Sequence, residues 1–369
     1  MKAYKRLTVR AEYRVIGQPR PQLEGPAKVT GEAVYTHDLD VPGMLCGAIL
    51  RSPHPHAHIR SVDLSRALKM PGVLAAISGQ DFPEKKYINA GATFADRYPM
   101  ARDKVRFTGE EVAAVAARSI AEAQAALAVI DVIYDQLPAA FDVDAAMAPD
   151  APVIHNKPDL PRNVAQQSEA DFGGVDEAFE KADHIFEATF EHGIVAPICL
   201  ETNGVLADFE VSSGQLNLWA PTQAPFFVRK EVAHVLDLSL EAVQVRSVVI
   251  GGGFGGKSQS PEPIAIAAML SMKTGKPVKI LLNRQEEFFS GKSDHAKKMR
   301  IKSAVAADGT ILGRYTDFWV DNGAYTHMGP AYISAVRQRN CNLYRVGAAG
   351  FDGKLVHTNK VSGGSYRGM

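Results

Sequence analysis

Three cysteines are all that the 369 residues contain, at positions 46, 199 and 341. They form no CxxC pair, no zinc-ligand spacing and no even set for disulfides, which points to reduced thiols in a reducing compartment. An iron–sulfur cluster needs about four thiolates, so this chain alone does not ligate one. Net charge is missing as well, since 41 lysines and arginines balance 41 aspartates and glutamates. That balance excludes an electrostatic design for nucleic acid or for an anionic membrane surface. No stretch reaches the roughly 18 apolar residues that span a bilayer. Residues 1–17 carry basic side chains but no apolar h-region and no small-residue cleavage site, so the cytoplasm is the expected compartment.

What is present is ordinary globular material: 46% hydrophobic and 22% charged residues, in a length suited to two or three domains. Residues 1–21 are polar and read as an arm. Short strands follow at 32–37, 43–50 and 73–77, then an irregular stretch broken by Pro83 and Pro99, then a buried strand at 112–117. Ser119 and Glu122 make an S-x-x-E capping box ahead of an alanine-rich helix over 121–130, and 132–134 continues as a strand. This half, 22–138, is α+β.

Prolines 138, 149, 152, 158 and 161 mark a linker, placed at 139–168. Beyond it, 169–369 holds a helix near 176–181 and strands at 184–191, 204–211 and 215–220. A helix over 225–236 turns Phe226, Val232, Val235 and Leu236 inward. A strand at 243–250 feeds a glycine loop. Ser260 is placed as N-cap and Pro261 as first helical residue of an all-round apolar helix over 262–273, which Gly275 and Pro277 end. A strand at 278–282 and a hairpin of 301–307 with 311–320, turned at Asp308-Gly309, complete the reading.

The glycine loop reads GGGFGGKS over residues 251–258. It satisfies GxxxxGK[ST], in which Lys257 would hold terminal phosphates and Ser258 a magnesium ion. Two features oppose a nucleotide. Pro261 and Pro263 stand where the first turns of a P-loop helix need free N–H groups, and the strand at 278–282 ends in Asn283 rather than a metal-holding aspartate. A purely structural turn is a second reading, although five glycines in six residues lose much backbone entropy on folding. The third is a backbone bared for a bulky cofactor, with Phe254 as an aromatic wall.

The surrounding motifs bear on this choice. GPAKVTGEAVYTHDLDVPGMLCGAILRSPHPHAHI, VRFTGEEVAAVAA and IDVIYDQLPA resemble the a/b hammerhead domain of the xanthine dehydrogenase and aldehyde oxidase family. CLETNGVLADF, LWAPTQAPF, VQVRSVVIGGGFGGK, TGKPVKILLNRQEEF, DNGAYTHMGP and TNKVSGGSYRG resemble successive pieces of that family's first molybdenum-cofactor-binding domain. The resemblance runs from about Gly25 to the end. It implies an α+β chain with a hammerhead domain followed by an incomplete first cofactor domain. It implies molybdopterin, expected as a cytosine dinucleotide, contacted by Gly252, Gly253, Phe254 and Gly255, with the Gln223 amide donating to the metal's oxo ligand and no side chain ligating the metal directly. Arg367 would stand opposite the Phe254 loop, although Tyr366 and Met369 depart from the usual FRGFG pattern.

The implied chemistry is oxidation of an aldehyde or aromatic N-heterocycle with water-derived oxygen. Electrons would pass to iron–sulfur clusters and FAD in partner subunits. Ser258 stands where xanthine-oxidising relatives carry a glutamate, which makes xanthine doubtful, and Arg337 or Arg339 falls where purine enzymes place a substrate arginine. The general base and the second cofactor domain are expected beyond Met369, on a longer chain or a separate one. The competing readings are a nucleotide-binding protein using residues 251–258 and a non-catalytic assembly partner. His54, His56 and His58 would share one face of a strand, without a metal. Glu286 and Glu287 read as a solvated pair, and Glu201 as structural or near the cofactor.

Overall fold

In the computed structural model of the chain, residues 13–88, 92–155, 159–246, 248–258 and 262–364 are described. The first half runs α1 (Gly25–Thr30), β1 (Leu45–Arg51), β2 (Ala57–Asp63), β3 (Val73–Ser78), β4 (Lys104–Val105), β5 (Glu111–Ala117), α2 (Ile120–Leu127) and β6 (Asp131–Gln136). Next come α3 (Val143–Met147), β7 (Val164–Phe172), α4 (Val175–Glu180), β8 (His184–His192), β9 (Gly204–Glu210), β10 (Gln215–Trp219), α5 (Pro225–Val235) and β11 (Val243–Arg246). The last part holds α6 (Glu262–Thr274), β12 (Val278–Leu281), α7 (Arg284–Ser290), β13 (Lys297–Val305), β14 (Ile311–Gly323), α8 (Gly329–Arg339) and β15 (Ala348–His357).

Three sheets organise these elements. The largest has the order β11-β10-β9-β12-β1-β5-β3, so strands from both halves share it. The two halves meet where β1 pairs with β12 in parallel, Leu45 opposite Val278. Gly47 permits that join, because a Cβ there would lie 2.5 Å from Ile280 Cγ1. Strand β5 is buried at all seven positions, as its unbroken run EVAAVAA requires between two neighbours. Helix α6 covers this sheet and is buried from Glu262 to Ser271. Its alanines at 265, 267 and 268 bring the backbone close, while Ile266 and Leu270 each contribute about 2–3 kcal/mol through burial.

A second sheet, β7-β15-β14-β13-β8, carries the hairpin at Asp308-Gly309, where Thr310 N–H donates to Asp308 Oδ1 and Gly309 has φ +88°. Its parallel pair β14 and β15 is linked across by α8. Edge strand β8 is exposed at every residue, including Ile185, Phe186 and Phe190. The third sheet is β4-β2-β6.

Several expectations need correction. Residues 32–37 form no strand: a short 3-10 turn occupies Thr36–Asp38, fixed by Tyr35 N–H donating to Asp38 Oδ2, and only Tyr35 bridges to Val249. Helix α1 was not foreseen, nor was β2. Phe226 is 81% exposed, because the inward face of α5 is set by Val228, Val232 and Val235 and position 226 falls off that stripe. Within 139–168 lie α3, capped by Asp142, and the first residues of β7. Ser260 and Pro261 lie outside the described residues.

Candidate cofactor site

The glycine loop leaves the sheet after β11 and folds back onto the segment that precedes β9. Gly251 N–H donates to Glu201 Oε2 at 2.7 Å, and Glu201 N–H returns a bond to Gly251 O at 3.1 Å. Lys257 Nζ reaches the same carboxylate oxygen at 2.8 Å, with the ammonium almost wholly buried. Gln223, at the entry to α5, accepts from Gly255 N–H through Oε1 at 2.9 Å and donates its own backbone N–H to Lys257 O. Thr222 Oγ1 donates to that same carbonyl.

Each of the five glycines answers to a steric or conformational demand. Gly252 and Gly255 hold φ of +99° and +94°. Gly251, Gly253 and Gly256 lie against protein: a Cβ would stand 2.4 Å from Glu201 Cβ, 2.5 Å from Gln223 Cδ and 2.6 Å from Pro197 Cγ respectively. Contact with neighbouring segments therefore accounts for the missing side chain at those three. What the loop presents is Phe254, 65% exposed, in a left-handed conformation (φ +48°) that a bulky residue rarely adopts.

These contacts remove the nucleotide reading. A P-loop lysine must reach phosphates, yet Lys257 is spent on Glu201 inside the protein. Ser258 Oγ donates to Gly255 O at 2.6 Å, closing the loop rather than facing a magnesium ion. The N–H groups of Gly251, Gly255, Gly256 and Ser258 are all bonded within the protein. Those of Gly252, Gly253 and Phe254 find no acceptor among the described residues. With its oxygen held by Gly255, the Gln223 amide has only its NH2 end left to donate. Adjacent N–H donors beside an amide NH2 suit an anionic, oxygen-bearing group.

Neighbouring segments extend the site. Val195 bridges to Asp294 and Ser293 to Gly363, while Pro197 packs on Gly256. Residues 195–197 thus lie between the glycine loop and the Gly363-Gly364 stretch that leads to Arg367. Arg367 itself lies outside the described residues. A cleft of about 660 Å³ opens beside the loop, lined in part by Tyr35, Leu200, Glu201, Gly251 and Arg284. Arg337 is not brought to the loop: it is half-buried on α8, which packs on β7, β14 and β15.

Sequence reasoning left several residues unplaced. Glu201 is the anchor of the loop, and a buried lysine was the signal that a carboxylate had to lie near. Glu287 is no solvated acid: its two oxygens accept from Asn203 N–H and Nδ2 at 2.8 and 2.7 Å, fixing the segment that carries Glu201. Glu286 caps its own helix and lies 3.6 Å from Arg51. Arg284 donates to the carbonyls of Cys199 and Leu200. The three histidines do not share a face, because β2 begins only at Ala57. His56 is buried against Pro138 O, His54 meets the Tyr134 ring edge-on, and His58 is exposed.

This geometry, a glycine loop turned to present backbone donors beside a glutamine amide, coincides with two domain matches. Residues 30–138 match the aldehyde oxidase and xanthine dehydrogenase a/b hammerhead domain, and residues 154–369 match the molybdopterin cofactor-binding domain. The chain belongs to the molybdopterin-binding aldehyde oxidase and xanthine dehydrogenase family, and it carries that family's molybdenum-cofactor domain. Among individual proteins, it is 35% identical over 96% of its length to a probable xanthine dehydrogenase subunit of Bacillus subtilis, of which it spans 47%. It is 31% identical to the nicotinate dehydrogenase large molybdopterin subunit of Eubacterium barkeri, covering 97% of this chain and 82% of that one. Quinoline 2-oxidoreductase from Pseudomonas putida 86 superposes with a TM-score of 0.85 at 31% identity, over 94% of this chain and 45% of that one. The chain thus spans about half the length of two of these three. No helix among the described residues is long and apolar enough to cross a membrane.

Proposed function

We propose that this chain supplies one wall of the active site of a molybdenum-dependent hydroxylase acting on an aldehyde or aromatic N-heterocycle. The observation that carries the reading is the pairing of unspent N–H groups at Gly252, Gly253 and Phe254 with the Gln223 amide, beside an exposed Phe254 in a strained conformation. Bound molybdopterin, in its cytosine dinucleotide form, supplies two-electron oxidation with oxygen derived from water. The Gln223 NH2 donates to an oxygen of that cofactor, adding no charge to an anionic centre. Phe254 would wall the cofactor from one side, and Arg367 is assigned to the other only by the family resemblance. Ser258, neutral and bonded to Gly255, offers no carboxylate to anchor a purine, which counts against xanthine as the substrate. Arg337 enters only through its place in the sequence.

Electrons leave to an iron–sulfur subunit and a flavin subunit. The scarcity of cysteine here supports that division, and the relatives' names, which describe subunits, support a complex of several chains.

The test is metal and pterin analysis of the native complex purified from its source. Near-stoichiometric molybdenum and pterin, with iron and flavin in the partner subunits, are expected. Gln223→Ala lowers turnover or molybdenum retention about 10–100-fold, the usual cost of losing a group that orients a metal centre. A complex free of molybdenum overturns the proposal, as does ATP binding that depends on Lys257.

A further inference from the structure

Away from the glycine loop, three side chains far apart in sequence converge. Asp96 lies in the loop before β4, His155 follows α3, and His357 ends β15. Each offers one ligand atom, and these atoms lie within 4.8 Å of one another. His357 Nε2 and Asp96 Oδ2 are 4.0 Å apart, and the two imidazoles have centroids 4.5 Å apart, tilted by 45° rather than stacked. His357 is buried, while Asp96 and His155 are only partly so, which leaves an approach from solvent.

One short segment orients the whole cluster from behind. Ala324 O lies 2.7 Å from His155 Nε2, Gly323 O lies 3.3 Å from His357 Nδ1, and Thr326 N–H donates to Asp96 Oδ2 at 2.8 Å. A neutral imidazole that donates one ring N–H to a backbone carbonyl keeps a lone pair on its other nitrogen. Metal-binding histidines are ordinarily held in this way. The segment is itself fixed, since a Cβ on Gly323 would stand 2.3 Å from Val361 O.

We propose that Asp96, His155 and His357 bind a zinc-class divalent cation, with water in the fourth position. Two imidazoles and one carboxylate form a nitrogen-rich, borderline donor set that suits zinc or cobalt and not calcium or magnesium, which require oxygen. Arg106 is close enough to interact with His155, and its charge opposes any cation bound there. Its guanidinium is turned onto the Tyr325 hydroxyl and the Lys104 and Ile154 carbonyls. The ion would clasp the first half of the chain, through Asp96, to the end of β15. None of the three ligands is among the residues assigned above to the molybdenum cofactor.

The test strips the full chain with a chelator and reloads it with Zn²⁺ or Co²⁺ alone. About one Zn²⁺ per chain is expected, with a raised melting temperature and Co²⁺ d–d absorption of a nitrogen-ligated site. His155→Gln retains a donor for the Ala324 carbonyl, and Asp96→Asn is isosteric. Both should keep the circular dichroism of the parent and lose the ion. If the parent takes up no Zn²⁺, or if both folded variants take up as much as the parent, the proposal is overturned.

Discussion

A buried ammonium with one carboxylate partner becomes a liability when that partner loses its charge. Lys257 is 2% exposed and its ammonium bonds to Glu201 at 2.8 Å, so Glu201→Gln strands a positive charge in the interior. The expected loss is about 3–5 kcal/mol of unfolding free energy, read from urea titration. Adding Lys257→Met to that variant should restore a large share, because the stranded charge is removed. A double mutant no better than the single would show that the loop depends on the ion pair itself. Lys292 is the opposite case: its Nζ is buried and has no hydrogen-bond partner among the described residues. Burial brings its pKa down to about 7, against the opposing attraction of Glu262. The unfolded lysine takes up a proton near 10.5, so between pH 7 and about 10 the unfolded chain binds the extra proton and stability rises with pH. Lys292→Met should therefore raise the melting temperature at pH 7, with an advantage that shrinks toward pH 10. An advantage that is constant with pH would show that packing alone is responsible.

Elements were legible wherever local pattern and burial agree. The hairpin at Asp308-Gly309, the Ser119 cap of α2 and the apolar helix α6 follow from turn chemistry, a capping oxygen and continuous hydrophobicity, all of which are local. Strand β5 was legible because a run of small apolar side chains fits only the middle of a sheet. The failures have one cause, namely that partners remote in sequence decide the outcome. Tyr35 bridges to Val249 across the molecule while its neighbours turn away, so strand-like residues at 32–37 form no strand. Strand β2 begins one residue after a buried histidine that is held by Pro138 O. Glu287 looks solvated in sequence, and only the fold brings Asn203 to it. At the site, the ordered motifs gave the class of cofactor through resemblance. Residues alone could not show that three glycines serve contacts with Glu201, Gln223 and Pro197, because those contacts span about 30 residues or more.

At the scale of the whole molecule, the seven-stranded sheet makes one body of the two halves, and a buried charge cluster ties that body to the site. Arg97 is 6% exposed and bonds at 2.8 Å to Glu111 on β5 and at 2.8 Å to Glu262, the first residue of α6. Glu111 also accepts from Arg51, and the Arg97 guanidinium lies over the rings of Phe107 and Tyr325. Helix α6 starts just after the glycine loop, so Arg97 fixes where that loop must end. A lysine would have to reach both carboxylates from a single nitrogen, whereas Arg97 spans them from Nη1 and Nη2. Both Arg97→Met and Arg97→Lys should therefore cost about 3–5 kcal/mol, the former by leaving two buried carboxylates short of a partner. Because the sheet is continuous through β1 and β12, that loss should appear as one cooperative urea transition moved to lower midpoint, with fluorescence and circular dichroism coincident. Two separated transitions would mean that the halves fold independently and that Arg97 is a contact between them rather than a strut within one core.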